Sequence, residues 1–273
     1  MKKVLWHRLL GKLLEELLSP VDISVQMEVP VMSEPPKTDI LLLRRQTEDW
    51  TPAQLERLPD GIRDSKASHI LLEFKYTESL NEQSFRQALG YDYFYQHHKH
   101  LQRHEVQTFI ISSKKTHSST LKAFGYTQTE IAGVYCSDHS LLQAITLISL
   151  NELSDDIYNT WLKFFASHVK ERNIALDKVQ TEGLKYYTEG IELFVFGFLE
   201  YLMKENIMEV ITPEKIMEAG RKALERHIAN MTPEERLAGL KPSERVAGLK
   251  PSERLAGLKV EEIEQYLKTL KNK

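Results

Sequence analysis

Cysteine is all but missing from this sequence. Cys136 is the only one in 273 residues, which excludes an intramolecular disulfide framework and fits a reducing compartment. An excess of one charge is also missing. The formal net charge is −3, so no overall basic field attracts nucleic acid and any such site must be local. Long apolar runs are absent too. The stretch from Ile191 to Leu202 is too short to span a bilayer and contains Glu192 and Glu200. Met1-Lys2-Lys3 leads into an apolar stretch that Glu15 and Glu16 interrupt, with no small-residue cleavage site after it, which argues against a signal peptide. A cytoplasmic protein without membrane association is the expectation. With 41% apolar and 27% charged residues, the chain can build one sizeable core plus a second, smaller unit.

Trp6, Leu9, Leu10, Leu13, Leu14 and Leu17 recur at helical spacing and predict a helix over 3–18, stopped by Ser19-Pro20. Alternating or apolar runs predict strands over 22–32, 38–44, 68–77 and 106–112, and a short one over 133–136. A turn is expected at Glu34-Pro35-Pro36. A polar insertion over 46–67 holds one short helix, started by Thr51-Pro52 and stopped by Pro59-Asp60-Gly61. Residues 81–102 predict a long helix. From about 140 onward the pattern is helical, with Trp161, Phe164 and Phe165, and then Leu193, Phe196 and Leu199, at helical spacing. The tail repeats with a period of nine from Pro233, Pro242 and Pro251, each copy ending in Ala-Gly-Leu, and finishes in a charged helix over 260–270. Three regions are expected: an α/β domain over 1–140, a helical extension over 141–229 and a repeat tail over 230–273. The tail suits a protein partner, or is a tolerated terminus multiplied by slippage.

Glu73 and Lys75 lie two apart on a predicted strand and share a face, while Ile70, Leu72, Phe74 and Tyr76 supply the other. By itself that is a surface ion pair. Asp39 adds to it, because Asp is poor strand material and here opens the apolar run Ile40 to Leu43. It either caps the preceding turn or, if the two strands pair, converges with Glu73 on an oxygen-rich point suited to a hard cation such as Mg²⁺. Gln87 and Tyr91 share a face of the following helix and either orient a water or are solvated and packing groups. On the first helix, Glu16 flanks the apolar face and Glu15 lies nearly opposite it.

Asp39, the triplet Glu73-Phe74-Lys75 and the run Gln87-Ala88-Leu89-Gly90-Tyr91 together resemble the PD-(D/E)XK nuclease superfamily, the last as its Q-x-x-x-Y motif. Gly11-Lys12-Leu13-Leu14-Glu15 is similar to the G-x-x-x-E pattern of some members and favours Glu15 over Glu16. Thr38 stands where Pro often precedes the aspartate. The resemblance covers about residues 1–137. It implies a restriction-endonuclease-like αβββαβ core with a mixed central sheet, and Mg²⁺ (or Mn²⁺) held by Asp39, Glu73 and the carbonyl of Phe74. It further implies Lys75 and Gln87 acting on the attacking water, Tyr91 and Glu15 assisting, and DNA as the substrate. Nucleases that cut both strands often pair, so a homodimer is in keeping with it. The stretch from Ser149 to Phe165 and the tail repeats are similar to bacterial, and for the repeats cyanobacterial, transposase-like nucleases that promote recombination. The competing expectations are a catalytically idle protein of the same fold that binds DNA or assembles, and a helical scaffold in which 141–273 does the work.

Positive charge near the site is expected from Arg86, Lys99, Arg103, Lys114, Lys115 and Lys122, and from Arg44, Arg45, Arg57 and Arg63 around the insertion. The insertion either touches substrate or covers a sheet edge. His97, His98 and His100 form a further cluster, read as a solvated helix end rather than a zinc site.

Overall fold

The computed structural model describes residues 6–30, 37–44, 49–182, 188–203 and 212–271. The expected turn at Glu34-Pro35-Pro36, Arg45 and the side chain of Arg44 lie outside them. The chain divides into two compact units, Met1–Ala223 and Leu224–Lys273.

The first unit opens with α1 (Trp6–Leu18), whose leucines form one continuous buried face. Strands β1 (Ile23–Pro30) and β2 (Lys37–Arg44) follow, then the short α2 (Pro52–Leu55), β3 (His69–Lys75), α3 (Glu82–Lys99) and β4 (Val106–Ser112). Thr51 starts α2 as expected: its side chain accepts from the backbone of Gln54, whose side chain accepts from Thr51 in return. Asn81 and Ser84 form the same reciprocal cap at the head of α3. Beyond β4 come α4 (Ser118–Ala123), β5 (Tyr126–Gln128), β6 (Val134–Ser137), β7 (Ile145–Ser149), α5 (Thr160–Lys163), α6 (Val169–Glu182), α7 (Glu189–Met203) and α8 (Pro213–Asn230), whose last turns belong to the second unit.

The strands form one mixed seven-stranded sheet in the order β1-β2-β3-β4-β7-β6-β5. β3, β4 and β7 are parallel at its centre, and the outer pairs are antiparallel. Residues 145–149, expected to be helical, are therefore a strand inside the sheet, and the sheet runs past the expected boundary at 140. Ile145-Thr146-Leu147-Ile148-Ser149 is buried on both faces, and that removes the alternation that marks a half-exposed strand. The expected helix around Trp161 is also short. α5 ends at Lys163, whose buried ammonium is held by Leu153 O, Asp155 and Glu171.

Alternation sorts the two sheet faces. Ile40, Leu42, Ile70, Leu72 and Phe74 face a large core shared with α1, α6, α7 and the aromatic residues around Phe165. Leu41, Leu71 and Val106 face the other way and are covered by Tyr95 of α3. α7 and α8 approach closely enough that a β-carbon on Gly197 would lie 1.8 Å from the carbonyl oxygen of Ile216, and one on Gly220 1.7 Å from that of Leu193. Among the described residues no helix is long and apolar enough to cross a membrane.

In the second unit, α9 (Pro233–Leu237), α10 (Pro242–Arg245) and α11 (Pro251–Leu255) repeat one geometry before α12 (Val260–Lys271). Each begins at Pro. A Glu three residues into each turn accepts from the backbone of Thr232, Lys241 or Lys250 at 2.7 Å. Gly239, Gly248 and Gly257 take φ of 80–89°, the left-handed conformation that ends a helical turn at little cost only for glycine.

Candidate active site

β3 delivers the central pair. Glu73 and Lys75 project to the α3 side, and Phe74 between them projects into the main core. Glu73 is 2% exposed. Its Oε1 accepts from the Lys75 ammonium at 2.9 Å and from the Gln87 amide at 3.0 Å. Lys75 also donates to Gln87 Oε1 at 3.2 Å, and Gln87 donates to the Tyr91 hydroxyl at 2.8 Å. The other Glu73 oxygen, Oε2, is buried with no hydrogen-bond partner.

Asp39 reaches the same place from β2. The β2–β3 ladder ends at Ile40↔Leu72, and one further step of that register sets Asp39 opposite Glu73. There the Asp39 side chain takes over the ladder's task, and its Oδ2 accepts from the Phe74 backbone N–H at 2.8 Å. The structure thus gathers Asp39, Glu73, Phe74, Lys75, Gln87 and Tyr91.

Electrostatics reflect this crowding. Burial raises the Glu73 carboxyl to about 7, and the neighbouring charge of Asp39 adds to the rise against the pull of Lys75. Asp39 is raised as well by burial, with the Phe74 N–H pulling it back. Burial alone would lower Lys75, but the charge of Glu73, its hydrogen bond and the charge of Asp39 outweigh it, so its ammonium is held more firmly than usual. The sign for stability follows. A carboxyl whose folded pKa lies near 7 against an ordinary 4.5 stabilises the fold below about 4.5, and that contribution is lost as pH rises through 7. In EDTA, the melting temperature of a Glu73→Gln variant should therefore gain on that of the wild type between about pH 5 and 8, by at most about 3 kcal/mol in stability. Parallel melting curves for the two chains across that range would contradict it.

Glu15 is not in this group. It pairs with Lys12 at 2.9 Å and lines a pocket of about 590 Å³ with Arg8, Met27 and Met217. Glu16 shares Lys12, at 2.8 Å. The helix residue whose charge acts on Asp39 is His7, about 12 Å along α1 from Glu15 at 1.5 Å per residue. His7 Nε2 lies 3.4 Å from Glu28 Oε1, and Glu28 also acts on Asp39. Glu28 sits opposite Asp39 in the β1–β2 register and takes φ of 52°, which interrupts the ladder there. Neither residue stands out in the sequence. Glu28 reads as one polar position of an alternating strand, and the backbone turn that redirects it has no local signature such as Gly or Asn.

Most of the basic residues expected around the site have intramolecular partners. Arg57 donates to Leu17 O, Arg63 lies 3.7 Å over the Tyr158 ring, Arg86 pairs with Glu82, Arg103 with Asp92 and Lys115 with Glu152, while Lys114 donates to Thr77 O. Among the described residues, no group of three or more His, Cys, Asp or Glu side chains is arranged to hold a metal ion, at α3's histidines or elsewhere. Comparison with protein-family models, with curated proteins and with solved structures finds no match to this chain.

Proposed function

We propose that the chain is a metal-dependent nuclease of the PD-(D/E)XK kind that hydrolyses phosphodiester bonds, in DNA. The observation that carries the reading is the meeting of Asp39 with the Glu73–Lys75–Gln87 network at the ends of two paired strands. A surface ion pair would be solvated, whereas Glu73 is buried beside a second carboxylate. Two neighbouring buried carboxylates repel each other unless a proton or a cation separates them. The unpartnered Oε2 of Glu73 gives such a cation a ligand. Mg²⁺ is suited by one or two carboxylates, with water and phosphate oxygens completing its shell. Asp39, Glu73 and the Phe74 carbonyl would hold it, with Mn²⁺ as a substitute. When bound, it acidifies water and polarises a phosphoryl oxygen.

The chain's own groups divide the remaining work. Lys75, kept charged by its acidic neighbours, offers a cation to the negative charge that grows on the phosphoryl oxygens. Gln87 bridges Lys75 and the Tyr91 hydroxyl, which fixes the ammonium from the helix side. The order α1-β1-β2-β3-α3-β4, with α2 as an insertion, supports a restriction-endonuclease-like core. Transposition or recombination is the setting this reading suggests.

Supercoiled plasmid incubated with the full chain in Mg²⁺ or Mn²⁺ should be nicked or linearised, and EDTA should stop it. Plasmid bound but left intact with both metals would instead favour the idle DNA-binding reading. Glu15→Ala should cut within about fivefold of wild type, the scale of a lost exposed ion pair. A fall of several hundredfold in that variant would return Glu15 to the site.

A further inference from the structure

The second unit has a regular sequence but no interior. Among its described residues no side chain is buried. Helices α9, α10 and α11 hold five, four and five residues, too few to stand on helical propensity. Their apolar side chains are open to solvent. Leu237 and Leu240, Val246 and Leu249, and Leu255 and Leu258 are each 36–51% exposed. Each pair straddles the left-handed glycine of its nonapeptide, so the pairs recur at a constant step. The arginines do not cover them. Arg245 and Arg254 turn back to donate to the carbonyls of Leu240 and Leu249, both at 2.9 Å.

α12 continues the apolar surface. Val260, Ile263 and Leu267 are spaced by three and four residues and form one stripe. Val260, Tyr266 and Leu267 are half or more exposed. The charges of this segment are divided along its length. Glu261, Glu262 and Glu264 come first, and Lys268, Lys271 and Lys273 follow. Glu262 caps the helix by accepting from the Lys259 backbone at 3.0 Å.

We propose that this tail pairs with the tail of a second copy of the chain, antiparallel about a two-fold axis. Three observations select that occupant. The first is the step: a surface that meets one leucine pair meets the next only if it repeats with the same spacing, and a second copy has that spacing. The second is charge. Antiparallel pairing of α12 sets the glutamates of one copy against the lysines of the other, at both ends at once. The third is area. At roughly 150–200 Å² for a large residue, nine that are on average half exposed leave on the order of 700 Å² open, and a standard interface buries about 800 Å² per partner. An anionic lipid surface fits less well, because an interfacial helix carries lysine along its whole polar face, whereas the first turns of α12 are acidic. The pairing is independent of whether the chain cuts DNA.

The test is sedimentation velocity of the full chain across a hundredfold range of concentration in about 0.15 M salt. Wild type should pass from monomer to dimer. Leu249→Ser combined with Leu258→Ser should weaken the dimer at least tenfold, because the two-fold axis counts each loss twice, and Leu267→Ser should act in the same direction. These side chains are exposed within the chain, so the variants should keep the wild-type circular dichroism and melting temperature at monomeric concentrations. Charge gives a second arm. A Glu261→Lys, Glu264→Lys chain and a Lys268→Glu, Lys271→Glu chain should each self-associate more weakly than wild type, and an equimolar mixture of the two should recover the dimer. A wild type that stays monomeric throughout, with or without binding to anionic vesicles, would overturn the proposal. So would a dimer that the leucine substitutions leave unchanged, or a mixture that associates no better than its two components.

Discussion

Lys75→Ala and Asp39→Ala should each slow plasmid cleavage by about 10²–10³ under conditions where the wild type converts all of its substrate, the scale of losing one preorganised charge-stabilising group. The reasons differ. Asp39→Ala removes a carboxylate from the proposed cation site and frees the Phe74 N–H that it accepts. Lys75→Ala leaves Glu73 Oε1 with Gln87 alone and removes the positive charge that holds the Glu73 carboxyl down, so that carboxyl should titrate still higher. The residual activity of Lys75→Ala should accordingly rise with pH over a higher range than that of wild type. Lys75→Arg separates two roles. An arginine supplies a cation but cannot take up a proton, so partial activity in Lys75→Arg marks the residue as a charge donor and complete loss marks it as a base. Equal cutting by wild type, Lys75→Ala and Asp39→Ala would end the nuclease reading.

The largest effect on stability is expected at the crossing of α7 and α8. A β-carbon on Gly197 would lie 1.8 Å from Ile216 O and 2.9 Å from Gly220 N. Backbone cannot yield as the end of a flexible side chain can, so the two helices must separate. Phe194, Phe198 and Ile216 belong to the main core, and separation would loosen them together. Gly197→Leu should lose about 3 kcal/mol, the upper end of ordinary overpacking. That corresponds to a fall in melting temperature of about 6–12 °C for a unit of this size. Gly90 is the control. It is on α3, and a β-carbon there meets nothing within 4 Å, so Gly90→Ala should melt at or slightly above the wild type. A Gly197→Leu chain melting with the wild type would refute the close crossing.

What could be read in advance depended on periodicity. α1 shows its apolar stripe because one face is buried and the other is not. Glu73 and Lys75 declared a shared face through the period of two, and Gln87 and Tyr91 through the turn of the helix, so four of the gathered side chains were legible from spacing alone. Asp39 was legible as an anomaly, a residue that a strand has no use for. β7 was not legible, because burial on both faces erases alternation and so short a buried run fits a helix as readily. Glu15 stood out through a five-residue pattern that fixes its helix but not the position of that helix along the sheet. α1 brings His7, not Glu15, into the field of Asp39. The part played by Glu28 depends on one left-handed residue in β1, a tertiary accident with no local code.

The place of β7 has a consequence for biosynthesis. β1 to β4 can associate as soon as residue 112 leaves the ribosome, and β5 with β6 soon after, but these are two separate half-sheets. Nothing joins them until Ile145–Ser149 emerges and slots between β4 and β6. For that interval the nascent chain carries β4 with one row of amides and carbonyls unspent, a template for any passing strand. Translation speed between residues 112 and 149 therefore sets how long that row is open to a chaperone or to a neighbouring polypeptide.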